Sequence, residues 1–126
     1  MIRQVLTKNA PAPAAGAYSQ GIVVDDKRMY VAGQVPMDSE TGVMPQGIAA
    51  QTAKTLGNVR AVLEAGGFAM SDVVKATVHL AHAGDFEEFN KAYLTFFSGV
   101  LPVRTTVQSV LPKPGILVEV DVIAEK

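Results

Sequence analysis

The chain has 126 residues, 48% of them apolar, no cysteine or tryptophan, and 11 basic against 12 acidic side chains for a net charge of -1. That length suits one domain spanning residues 1–126, and the lack of cysteine excludes disulfides, thiolate nucleophiles and cysteine-ligated zinc. Basic residues are scattered singly apart from Lys27-Arg28, which argues against nucleic-acid partners, and no apolar run reaches the roughly 18 residues of a membrane span. With no signal-peptide core after Arg3, a cytoplasmic protein is expected. The apolar content exceeds what one small core should need, so part of it is expected to lie between subunits.

In chain order, Ile2–Leu6 reads as a strand, and Pro11, Pro13 and Gly16 mark a loop after it. Tyr18–Val24 and Arg28–Gly33 form a hairpin around Asp25-Asp26-Lys27. Ala49, Ala53, Leu56, Val59 and Leu63 recur at helical spacing, predicting a helix from Ile48 to Ala65 that ends at Gly66-Gly67. Val74–Leu80 alternates like a half-buried strand. A second helix is expected from Asp85, with Asp85 and Glu88 as a capping box and Phe86, Phe89, Asn90, Tyr93, Leu94 and Phe97 on one face. Val103–Val110 and Ile116–Ala124 are read as two strands around Pro112-Lys113-Pro114-Gly115. The order β-β-β-α-β-α-β-β implies an α+β fold, a sheet with two helices on one face and the other face left for a partner.

Two charged residues interrupt apolar strands. Arg104 is a candidate carboxylate clamp, because a guanidinium forks to match a carboxylate and tolerates partial desolvation; the alternative is an edge arginine paired with a surface acid. Glu119 is a candidate general base, or else one residue of a wet strand face. Asn90, an amide on an apolar helix face, is either a satisfied buried group or a ligand contact. If the last two strands form a hairpin with Leu111 opposite Ile116, Arg104 and Glu119 lie about 13 Å apart along the sheet and could share a ligand only through another arrangement or a second chain. His79 and His82 are three apart on a strand, which points them to opposite faces and makes a metal pair improbable, so no metal is expected. The glycine-rich nucleotide motifs, the zinc-protease motif and the serine-hydrolase elbow are all absent.

Six segments in order, Ala15–Gly21, Val31–Pro36, Gln51–Val59, Asp85–Asn90 with Tyr93, Leu101–Arg104 and Val118–Val120, together resemble the Rid family, also called YjgF or L-PSP endoribonuclease-like. The resemblance implies a chorismate-mutase-like fold assembling as a homotrimer, with small-molecule sites in clefts between subunits. It further implies cofactor-free hydrolysis of 2-enamine and 2-imino acids, such as 2-aminoacrylate and 2-iminobutanoate, to 2-oxo acids and ammonia. By position Arg104 is similar to the family's carboxylate clamp and Glu119 to the acid that positions or activates water. Tyr18 and Asn90 match cleft residues, while Gly33 and Thr106 fall where backbone groups meet ligand. Ala32 stands where many family deaminases carry serine, which removes a hydroxyl and keeps open a non-catalytic carboxylate-binding trimer. The endoribonuclease activity suggested by the older family name has no basic stripe or suitable histidine pair behind it.

Overall fold

The computed structural model describes residues 1–126 as one six-stranded sheet and two helices. The elements are β1 (Ile2–Val5), β2 (Gly21–Val24), β3 (Arg28–Gln34), α1 (Ile48–Ala65), β4 (Val73–Leu80), α2 (Phe86–Leu94), β5 (Val103–Gln108) and β6 (Val118–Glu125). No helix is long and apolar enough to cross a membrane.

Strands β2 and β3 form the expected hairpin, with Val24 paired to Arg28. Asp25 and Asp26 both have φ of +54° and form the centre of a turn in which the Lys27 amide donates to the Val24 carbonyl at 3.0 Å. The N-terminal ammonium of Met1 bonds to the Asp25 carboxylate and holds it ionised at lower pH than usual. Strand β1 adds outside β2, pairing Ile2 with Val24 and Val5 with Gly21.

In the second half of the sheet the last two strands are not neighbours. The strands run β1-β2-β3-β6-β4-β5, so β6 is central, antiparallel to both β3 and β4, and β5 pairs parallel with β4. Of the two arrangements the sequence left open, the hairpin with Leu111 opposite Ile116 is absent and β5 and β6 are non-adjacent. The reason is the helix before β5. A strand–helix–strand unit returns the chain parallel to its first strand, and α2 performs that crossover between β4 and β5. α1 performs another between β3 and β4, leaving a gap that β6 fills as in a split β-α-β arrangement.

Alternation on the central strands divides the sheet into two faces. Ala76, Val78 and Leu80 of β4 and Val118, Val120, Val122 and Ala124 of β6 are buried beneath the helices with Leu56, Val59, Val62, Leu63 and Phe89. Lys75, Thr77 and His79 of β4 and Glu119, Asp121 and Ile123 of β6 point to the opposite, uncovered face. That face also carries Tyr30, Val103 and Val107, each more than 40% exposed.

Helix α1 has the predicted bounds, but its buried stripe is more polar than the apolar spacing suggested. Ala49 and Ala53 are exposed, whereas Gln51, Thr52, Thr55 and Asn58 are buried with Leu56, Val59, Val62 and Leu63. The amides are satisfied by loops. Gln51 donates to the carbonyls of Pro45 (3.1 Å) and Gly115 (2.9 Å) and accepts from the Leu117 amide (2.8 Å). Asn58 donates to the carbonyls of Val35 (2.9 Å) and Met37 (3.0 Å). Asp38, in the following turn, accepts from the backbone amides of Thr41 and Glu40, which lowers its pKa to about 2. At α2, Asp85 is the N-cap by position, but its side chain makes no capping bond, so the expected capping box does not form.

Gln51→Leu leaves buried backbone groups of two loops without partners, at roughly 1–3 kcal/mol for each unsatisfied group. Urea denaturation is expected to show a loss of about 2–4 kcal/mol; an unchanged midpoint would contradict the role of Gln51 as a loop anchor.

Candidate functional site

Two of the anchored loops help to wall a cleft of about 560 Å³ beside the β3 and β6 strands, lined by Pro11, Tyr18, Ala32, Gly33, Lys113 and Glu119 among others. A third anchor is Gln20, 1% exposed. It accepts from the Thr7 amide (2.6 Å) and donates to the carbonyls of Thr7 (3.1 Å), Ala10 (3.2 Å) and Pro11 (2.8 Å). The loop before β2 thus gets its shape from one buried amide, since Pro11 and Pro13 have no amide hydrogens of their own to bond. Asn58 sets Val35 and Met37 in the same way, and Gln51 sets the turn at Gly115.

Gly33 sits at an irregularity in β3, where three steps from Val31 to Gln34 match two steps from Val122 to Val120 on β6. The Glu119 carboxylate lies over this glycine. A Cβ there would collide with Oε2 and stand 3.1 Å from Cδ, so only a residue without a side chain leaves Glu119 its place. Glu119 takes part in no salt bridge and accepts no hydrogen bond within the chain. Burial pushes its carboxyl above the ordinary carboxylate range; the charge of His79 opposes that rise and Asp121 adds to it. Burial likewise raises Asp121, with His79 and Lys75 pulling it back.

Arg104 lies elsewhere. It is the β5 partner of Ala76, a residue of the helix-covered face, and reaches α2, where Nη2 donates to Asn90 Oδ1 at 2.7 Å. Its guanidinium carbon stands 4.7, 5.3 and 5.6 Å from the ring centroids of Tyr93, Phe89 and Phe86. Of its five N–H donors, only the one to Asn90 is used, and no acid pairs with it. The alternative of an edge arginine neutralised by a surface carboxylate is thereby removed. Beside it the hydroxyls of Tyr93 and Thr106 are buried without hydrogen-bond partners, and burial raises the Tyr93 pKa against the pull of Arg104.

The residues singled out from sequence therefore fall into two groups. Tyr18, Ala32, Gly33 and Glu119 share the cleft, whereas Arg104, Asn90 and Thr106 gather at α2 and β5. Within one chain the groups do not meet. Ala76, the partner of Arg104, pairs with Val122, three residues from Glu119, and β4 intervenes. Two strand spacings and three residues separate the backbones by about 14 Å, with the side chains on opposite faces. Sequence reading missed Lys113 and the aromatic bed beneath Arg104. The only signal for the bed was the helical spacing of Phe86, Phe89 and Tyr93, which equally describes core.

The sequence profile of the family described as endoribonuclease L-PSP matches residues 7–126. The chain belongs to that family, also called YjgF or Rid. A RutC family protein of Saccharolobus solfataricus is 44% identical, covering 97% of this chain and 96% of its own. The rat 2-iminobutanoate/2-iminopropanoate deaminase is 40% identical, covering 98% and 90%. Among solved structures, E. coli TdcF with bound serine superposes with a TM-score of 0.91 at 31% identity, covering 98% of each chain. The L-PSP fold thus accounts for the order of strands, and relatives of similar closeness carry different functional names.

A carboxyl whose folded pKa lies above its unfolded one favours folding most when protonated. The benefit is full below the unfolded value of about 4.3 and is lost as pH rises through the folded one. Replacing Glu119 by Gln removes this loss. The melting temperature of Glu119→Gln relative to wild type is expected to climb as pH rises above about 4.3; a difference that stays flat would contradict the raised pKa.

Proposed function

We propose that this L-PSP family protein hydrolyses 2-imino acids, and the enamines that tautomerise to them, to 2-oxo acids and ammonia. The observation that carries this reading is Arg104, a half-buried guanidinium held by Asn90 and three aromatic rings with no acid to neutralise it. Such a group is preorganised for a carboxylate supplied from outside the chain. The relatedness to a mammalian 2-iminobutanoate/2-iminopropanoate deaminase supports the same chemistry.

The site assembles between chains in this reading. One subunit supplies the cleft with Glu119, Tyr18 and Gly33, and the next supplies Arg104 with Asn90. A homotrimer with small-molecule sites at its seams would use the uncovered sheet face, with exposed Tyr30, Val103 and Val107, as assembly surface.

The protonated imine carbon is electrophilic, so the protein needs only to orient it, deliver water and move protons. Arg104 holds the carboxylate. Glu119 takes a proton from water as its oxygen bonds to C2, giving a carbinolamine, and returns that proton to the nitrogen. The C–N bond then breaks to release ammonia while Glu119 takes the hydroxyl proton and passes it to that ammonia, so one iminium and one water become one 2-oxo acid and one ammonium. Burial of Glu119 strengthens it as a base, which suits it to the first step.

Ala32 favours a second reading, a trimer that binds a carboxylate without turnover, because no hydroxyl lines the cleft at that position. Turnover assays separate the two. Arg104→Ala is expected to lower kcat/KM for 2-oxo acid release from freshly generated imine by roughly 100- to 1,000-fold, the value of two charge-assisted hydrogen bonds. A variant as fast as wild type would remove the clamp. Tight 2-oxo acid binding by wild type with no acceleration over the spontaneous reaction would establish the second reading.

A further inference from the structure

His79 of β4 is the direct cross-strand partner of Glu119 on β6, and both side chains stand on the uncovered face. Antiparallel partners of this kind place their Cβ atoms about 4.5–5.5 Å apart. The ring does not hang free. His79 Nδ1 and Ser109 Oγ share a hydrogen bond of 2.8 Å, and Ser109 is fixed by its own amide, which donates to the Leu80 carbonyl at 2.9 Å. Whichever partner donates, this bond holds the ring in place beside Glu119.

The neighbours of the pair come from every adjoining element. Asp121 lies two residues along β6 on the same face, and Lys75, toward the other end of β4, acts on Asp121. On β5 the partner of His79 is the apolar Val107, and Gly33 of β3 brings no charge. Lys113 and Tyr18 stand in the cleft with Glu119. Of the side-chain types in this set, imidazole is the one whose ordinary charge change lies nearest neutral pH.

We propose that His79, tethered by Ser109, is a positioning residue for the reaction: it sets a proton-dependent positive charge against Glu119 and so fixes the lower pH limit at which Glu119 remains an ionised base. This rests on the role assigned to Glu119 above. A charged imidazole in this position opposes neutralisation of the carboxylate as pH falls. Glu119 can then be buried enough to be a strong base while staying ionised in mildly acidic solution. Asp121 shares the same counter-charge.

The test is a carbon-13 NMR titration of the full-length protein labelled at its glutamate carboxyl carbons, with Glu119 assigned by the signal lost in Glu119→Gln. In His79→Phe the Glu119 midpoint is expected to rise by roughly 0.5–1 pH unit, and in His79→Lys to stay at or below the wild-type value. His79→Asn serves as the uncharged variant if the phenylalanine protein does not fold. A midpoint unmoved in the uncharged variant, or raised equally in the lysine variant, overturns the proposal. The acid limb of kcat/KM should move with the midpoint. A moved midpoint with a stationary acid limb would instead overturn Glu119 as the base while leaving its coupling to His79 measured.

Discussion

The place of β6 between β3 and β4 is the constraint on which the rest of the molecule depends. Its period-two alternation puts Val118, Val120 and Val122 into the core, and the same alternation obliges Glu119 and Asp121 to stand on the opposite face. Because the β3 partner at this point is the irregular Ala32-Gly33 segment, the Glu119 carboxylate has room to lean over the glycine toward the cleft. A one-residue slip of β6 would bury two acids and expose the core valines, so the register that makes the core also fixes the acid.

The cleft around Glu119 is built less by apolar packing than by three buried carboxamides. Gln20, Gln51 and Asn58 each bond backbone groups of a different loop, and each loop supplies part of the wall. An amide can donate and accept at once, which lets one side chain hold a proline-containing segment that has few amide hydrogens of its own. Arg104 is held by other means, a single amide oxygen and three ring faces, which orient the guanidinium without neutralising it. One of the two candidate groups is thus a carboxylate lacking a cation in salt-bridge contact, and the other a cation lacking a carboxylate, on opposite sides of the same sheet.

Much of this was legible in the sequence. The α1 bounds, the Asp25-Asp26 hairpin and the alternation of β4 follow from local patterns, and six spaced segments pointed to the family. The sequence left the pairing of the last strands open because turn residues Pro112–Gly115 suggest a hairpin locally, whereas the crossover through α2 is a three-dimensional constraint that places β5 first. The polar half of α1's buried face was missed for a related reason. Gln51 and Asn58 look like surface residues until the loop carbonyls they satisfy are folded against them. Arg104 and Glu119 were visible as misplaced charges, but the face each occupies depends on strand order and could not be read from either strand alone.

In the proposed trimer each site is completed by two subunits, one giving Arg104 and the next Glu119. Co-refolding Arg104→Ala chains with Glu119→Gln chains tests this most directly, since neither variant alone has an intact site. Random mixing in a closed ring leaves about a quarter of the seams with both native residues, so 2-oxo acid release should recover to roughly that fraction of the wild-type rate. Mixed assemblies that form and stay as slow as their parents would contradict a site shared between chains.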